Sequence, residues 1–139
     1  MMRALEISAS ALEAQRVRME VASQNLANVE STRATQGPDG AWQPYRRHQV
    51  VFQALLDGEL GGPEGGVRVA RIEEDLSDFR MELNPGHPDA DADGFVRMPN
   101  VDILMEMVDL MEASRAYEAN LTAMDATKSI AASAMRILA

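Results

Sequence analysis

The chain has 139 residues, a net charge of −9 and no cysteine. Acids outnumber bases in each of the segments 1–30, 31–98 and 99–139, and no Lys/Arg block stands out. Phosphate backbones would therefore be repelled, and a basic membrane-surface helix is excluded. The missing thiols exclude disulfides, thiolate metal sites and thiol catalysis, and no apolar run is long enough to predict a membrane-spanning helix.

Residues 4–28 read as one helix. Leu5, Leu12, Met19 and Leu26 recur every seven residues and predict its centre line, widened by Ala4, Ile7, Ala11, Ala14, Val21 and Ala22. Glu6, Glu13 and Glu20 fall on the opposite side. At ~1.5 Å per residue such a helix is roughly 37 Å long, and it needs a partner to be stable in water. Asn25 and Asn28 close it, Asn28 as its terminator and the pair as a fixed turn into the linker. The same first residues carry Glu6 and Glu13 where a signal peptide would be apolar, so export is expected to proceed without a cleavable signal.

The middle is punctuated by Gly and Pro. Residues 31–44 read as a loop, 45–52 as a strand, 57–66 as a turn, and Val67, Val69 and Ile72 as a second strand. Phe79, Met81 and Leu83 alternate with Arg80 and Glu82, which predicts a third strand, and 95–98 a fourth. Trp42, Tyr45, Phe52, Phe79 and Phe95 all lie here, so a small separate core is expected.

The last helix is expected to start near Asn100, as its N-cap, with Asp102 favoured by the helix dipole. No Gly or Pro follows, and roughly 39 residues make ~58 Å of helix. Ile103, Leu110, Tyr117, Met124, Ala131 and Leu138 repeat every seven residues, with Met107 and Leu121 beside them. Glu106, Asp109 and Glu112 read as its early polar face. Five methionines between Met105 and Met135 suit either a helical core or an irregular partner surface.

Chemical motifs are sparse. Asp89, Asp91, Asp93 and Gly94 match the start of a calcium loop, but Asn100 stands where a bidentate Glu is required and Arg97 occupies the ninth position. An acidic solvated turn is the better reading, and no metal or other cofactor is expected. His48 and His87 have no zinc spacing and read as surface or turn residues. No nucleophile elbow, phosphate loop or dinucleotide fingerprint points to an enzyme.

Two terminal motifs resemble a known family. The helix-ending Asn25-Leu26-Ala27-Asn28 with Thr32 is similar to the N-terminal motif of bacterial flagellar axial proteins. Pro99-Asn100-Val101-Asp102, Glu106-Met107-Val108-Asp109 and Ala113-Ser114-Arg115-Ala116-Tyr117-Glu118-Ala119-Asn120 resemble their C-terminal signature. Pro44-Tyr45-Arg46, Val50-Val51-Phe52, Gly65-Gly66-Val67 and His87-Pro88 narrow the resemblance to the short proximal rod proteins. The resemblance implies a structural subunit of the rod, the drive shaft between basal-body rotor and hook. It implies passage through the flagellar type III export apparatus and a place in the periplasm. The implied partners are other proximal and distal rod proteins and copies of itself, with no nucleic acid and no membrane insertion.

The expected fold is mainly α with a small β-rich middle: an N-terminal helical segment 1–30, a central segment 31–98 and a C-terminal helical segment 99–139, the two helices packing as a coiled coil. The expected assembly interface is Leu5, Leu12, Met19, Asn25, Leu26, Asn28, Ile103, Met107, Leu110, Tyr117, Leu121, Met124 and Leu138. A soluble coiled-coil adaptor and a weak calcium-binding module are the alternatives.

Overall fold

The computed structural model describes residues 2–38, 40–55 and 65–138, with backbone alone for 137 and 138. Helix α1 spans Met2–Ala27 and α2 spans Ile103–Leu138. Between them lie three two-stranded antiparallel ladders: β1 (Thr35–Gln36) with β2 (Trp42–Gln43), β3 (His48–Ala54) with β4 (Val67–Glu74), and β5 (Arg80–Leu83) with β6 (Phe95–Met98). This is the expected fold class, two long helices packed together with short strands in the middle.

The helices run antiparallel: Asn25 meets Glu106 while Arg18 meets Asp109 and Glu112. In α2 the inward residues are Glu106, Leu110, Ala113, Tyr117, Asn120, Met124, Thr127, Ala131 and Ala134, all buried or half-buried. Their alternating steps of four and three make a heptad seam. The expected line through Leu110, Tyr117 and Met124 is one half of it. The other half holds small and polar residues that hydrophobic periodicity does not mark. Ala113, fully buried, lets the backbones approach closely.

In α1 the expected centre line is displaced. Leu5, Leu12, Met19 and Leu26 are half-buried, whereas Ala14, Val21, Ala22 and Asn25 are the buried residues. The reason is that α1 packs on two sides, against α2 and against the β3–β4 hairpin. Asn25 touches both, and Ser10 reaches the hairpin by accepting the Val67 amide at 3.2 Å. Glu6, Glu13 and Glu20 are exposed as expected, Arg16 lying between Glu13 and Glu20.

Both helix ends are set by side chains. The Asn28 side-chain amide donates to the Gln24 carbonyl at 2.9 Å and so satisfies a carbonyl of the last turn of α1, which ends at Ala27. The cap of α2 is Asp102, not Asn100: its Oδ1 accepts the Leu104 and Met105 amides, as an N-cap side chain should. Asn100 is engaged elsewhere, as described below.

The middle departs from expectation in two respects. The 31–44 segment contains the β1–β2 ladder, closed by a turn with Gly40 at φ 76°. The aromatics build no core: Trp42, Phe52 and Phe95 are exposed, and Phe79 lies under the guanidinium groups of Arg46 and Arg97 at 4.3 and 4.9 Å. Burial belongs instead to Pro44, Leu55, Val96, Met98, Pro99 and Val101. Ala70 is the unpaired residue of a bulge where Val51 faces Arg71 and Phe52 faces Val69. Gly94, at φ 84°, has room for no Cβ, since Pro85 Cγ would stand 3.0 Å away. The turn expected over 57–66 lies outside the described residues apart from Gly65 and Gly66.

Candidate assembly surface and the junction behind it

The surface is positioned by a buried polar junction where α1, α2 and β3 meet. Its hub is Asn25, 1% exposed. A carboxamide has two donors and two acceptor sites, and all four are filled. Nδ2 donates to the His48 carbonyl at 2.8 Å and to Glu106 Oε2 at 2.9 Å. Oδ1 accepts the His48 amide at 2.9 Å and the Tyr45 hydroxyl at 3.0 Å. Toward β3 the side chain therefore behaves as one residue of a neighbouring strand, binding N–H and C=O of the same residue. Asp lacks the donors for this role.

The network fixes a tautomer. Burial first, and the charges of Glu106 and Glu74 second, push the Tyr45 hydroxyl pKa up, so it stays protonated. Its proton goes to Asn25, so its oxygen accepts from His48 Nδ1 at 2.8 Å. His48 is thus half-buried and part of the junction, a correction to the surface reading.

Glu106, also 1% exposed, overturns its assignment to the polar face. Its second oxygen receives Arg47 Nε at 2.5 Å. Arg47 extends to Asp109 at 3.4 Å and lies 3.8 Å from Asp75. Asn100 holds the other side, accepting the Arg47 amide at 2.8 Å and donating to the Asp75 carbonyl and Ser77 Oγ, each at 2.9 Å. The Asp75 carboxyl pKa is lowered, by the Ser77 amide first and the Ser77 hydroxyl next. A buried carboxylate costs several kcal/mol unless paired and hydrogen-bonded, and here both conditions hold.

A cleft of about 380 Å³ opens beside the junction, lined by Arg18, Val21, Arg47, Phe52, Glu106 and Asp109 among others. Arg18, Arg47, Glu106 and Asp109 pair with one another. What the arrangement does chemically is lock two helices to a strand.

The acidic turn is likewise engaged in structure. Asp89 accepts Thr32 Oγ1 at 2.8 Å and pairs with Arg33. Its pKa is lowered, by the Arg33 hydrogen bond first and Thr32 second. Asp91 Oδ1 accepts the Asp93 and Phe95 amides. Among the described residues no group of three or more His, Asp or Glu is placed to hold a metal ion.

The expected interface residues divide into three sets. Asn25 is the buried hub, and Asn28 ends α1. Leu5, Leu12, Met19, Leu26, Leu110, Tyr117 and Met124 are half-buried. Ile103, Met107 and Leu121 are exposed, at 48, 49 and 43%. The side chain of Leu138 lies outside the described residues. Beside the exposed set lie Leu104, Met105, Val108 and Met111, outside the expected interface although Met105 and Met111 belong to the methionine-rich stretch, so the first turns of α2 are apolar on the sides away from Glu106, Asp109 and Glu112. Such a helix belongs inside an assembly.

Sequence reasoning also missed Tyr45, Arg47, His48, Asp75 and Glu106. One signal was available. Glu106 stands seven residues before Ala113 and four before Leu110, which places an acid on the apolar seam.

Comparison with known proteins gives two family matches and a set of full-length relatives. Residues 5–35 match the family described as flagella basal body rod protein, and residues 92–137 match the flagellar basal body rod FlgEFG protein C-terminal family. The flagellar basal-body rod protein FlgC of Bacillus subtilis is 50% identical over 96% of this chain and 95% of its own length. The FlgC protein of Yersinia enterocolitica is 49% identical over 90% of this chain and 88% of its own. That of Borreliella burgdorferi is 40% identical over 96 and 95%.

Proposed function

The chain belongs to the FlgC family of flagellar basal-body rod proteins and is a structural subunit of that rod, and from this premise we propose how it assembles. The two helices pack with those of neighbouring rod subunits, both copies of itself and other proximal and distal rod proteins. They form the shaft that transmits torque from the basal-body rotor to the hook. Torque is shared among many packed side chains. The subunit reaches the periplasmic space through the flagellar type III export apparatus, and the segment 31–98 sits outside the helical layer.

The observation that supports this reading is the exposure of large apolar residues along α2, Leu104, Met107, Met111, Leu121 and Met135 among them. Burying one such side chain contributes about 1.5–3 kcal/mol, so a neighbour covering the stripe offsets the ordering entropy of assembly.

The test uses residues that are free in the monomer. Met107→Asp and Leu121→Asp are expected to leave the circular dichroism spectrum of the purified protein unchanged. Both are expected to abolish motility and rod incorporation in a host lacking its own copy. Normal rods in both variants would sink the stripe argument.

A further inference from the structure

All the sulfur of this chain is thioether: there are ten methionines and no cysteine. No thiolate is present to take an oxidant first. Five of the methionines lie on α2. Met105, Met107, Met111 and Met135 are exposed, at 62, 49, 52 and 71%. Met124 is half-buried and sits on the seam against α1. The central segment repeats the contrast, with Met98 of β6 buried and Met81 of β5 exposed.

Position decides what oxidation does at each sulfur. A methionine is apolar and flexible and suits an irregular partner surface, whereas its sulfoxide is polar and chiral. The exposed neighbours of the four α2 methionines, Ile103, Leu104, Val108 and Ile130, are apolar as well. A subunit that matches such a face has no donor to offer a sulfoxide oxygen, and burying that oxygen unpaired is unfavourable. The four sulfurs lie off the seam with α1, so the oxidised subunit keeps its fold. At Met81 the same reaction adds polarity to a surface outside the helical layer.

We propose that Met105, Met107, Met111 and Met135 form a modification site. Their oxidation to sulfoxide in the free subunit bars it from the rod, and assembly shields the same sulfurs. This rests on the rod reading, which supplies the covered surface. The oxidant is a peroxide. The thioether sulfur attacks one peroxide oxygen, and the S–O bond forms as the O–O bond breaks. Sulfur gives up two electrons, and hydrogen peroxide is reduced to water. A dithiol reductase reverses the change: the oxygen leaves as water and the two thiols become a disulfide.

The purified protein is first treated with hydrogen peroxide and its peptides are mapped by mass. The four α2 methionines are expected to gain oxygen several times faster than Met98 and Met124, with the circular dichroism spectrum unchanged. Equal rates at all of them, or loss of helix, would overturn the proposal. The second step uses a host with this chain as its sole copy and no methionine sulfoxide reductase. Rod assembly is held back by withholding another rod protein, the cells are pulsed with peroxide, catalase removes the excess, and the missing protein is then supplied. Sulfoxide at the four positions is expected to be at least about tenfold scarcer in basal-body subunits than in the soluble pool. Met81 sulfoxide is expected to be equally abundant in both fractions. If the four sulfoxides enter basal bodies as readily as they occur in the soluble pool, or Met81 sulfoxide is depleted alike, the modification site is overturned and the rod reading stands. Absence of the chain from basal bodies with and without peroxide overturns both.

Discussion

The junction end of the helix pair and the outer face of α2 are built from opposite chemistry. At the junction, Asn25 and Glu106 are polar and buried, Arg47 is half-buried, and the three are hydrogen-bonded to one another or to β3. On the outer face Leu104, Met107 and Met111 are apolar and exposed. A buried polar network tolerates only one geometry, because each misplaced group loses its partner in a low-dielectric site. An apolar Met-rich face tolerates many. The first therefore fixes the shape of the subunit, and the second leaves its surroundings adjustable. In a rod made of related but different subunits, that division places rigidity within the chain and adaptability between chains.

The comparison breaks most readily at Arg47. Arg47→Met leaves Glu106 buried with only Asn25 beside it, and is expected to cost about 3–5 kcal/mol in urea unfolding. Asn25→Asp is expected to fall in the same range, since it puts a second carboxylate against Glu106. If both variants unfold at the wild-type midpoint, the junction is not what fixes the helices. Ala113→Leu tests the seam next to it. Forcing a larger side chain into a fully buried position is expected to cost about 1–3 kcal/mol by the same measurement. Asp102→Ala removes the cap of α2 and is expected to cost about 1 kcal/mol, with the loss of amide protection confined to the first turn of the helix.

A smaller effect concerns acid. The folded-state pKa values of Asp75 and Asp89 lie below the ordinary carboxylate value. Their contribution is therefore present above the unfolded value and is lost as pH falls through the folded one. Below about pH 4 the 31–35 and 75–77 segments are expected to exchange amides faster, while α1 and α2 hold. Arg33→Ala is expected to weaken this response at Thr32, whose own hydrogen bond to Asp89 remains, and to leave it unchanged at Ser77. The smallest effect on stability is expected at Met107→Asp, within about 0.5 kcal/mol, as for an exposed position. That near-silence in the monomer, set against loss of incorporation, sharpens the division between the two regions.

Much of the fold was legible in the residues. Two uninterrupted helical stretches, a Gly/Pro-punctuated middle and the alternation at Met81 and Leu83 led to the observed element order apart from the short β1–β2 ladder. The α1 face was legible, since Ala14, Val21 and Ala22 were read as part of it, but its centre line was not, because hydrophobic spacing weights the largest residues on a helix over the small ones that let two neighbours approach at once. Asn100 was misread for a related reason. An Asn ahead of a helix satisfies the rule for an N-cap, and nothing local reveals that Arg47 and Ser77 occupy it. The exposed apolar start of α2 was hidden by composition, since a Met-rich stretch reads alike whether it fills a core or awaits a partner.

By itself the sequence determined the two helices, the four strands of the β3–β4 and β5–β6 ladders and the family, because each depends on residues near one another in the chain or on motifs read in order. Only the tertiary structure decided that Glu106 is buried, that Asn25 serves β3 as a neighbouring strand would, and that the Tyr45 proton fixes the His48 tautomer. Each of those properties needs Asn25 or Glu106 to meet groups 20 to 81 residues away, even the Tyr45–His48 contact, whose direction is set by Asn25. Their energies depend on exclusion of water, which no local pattern encodes.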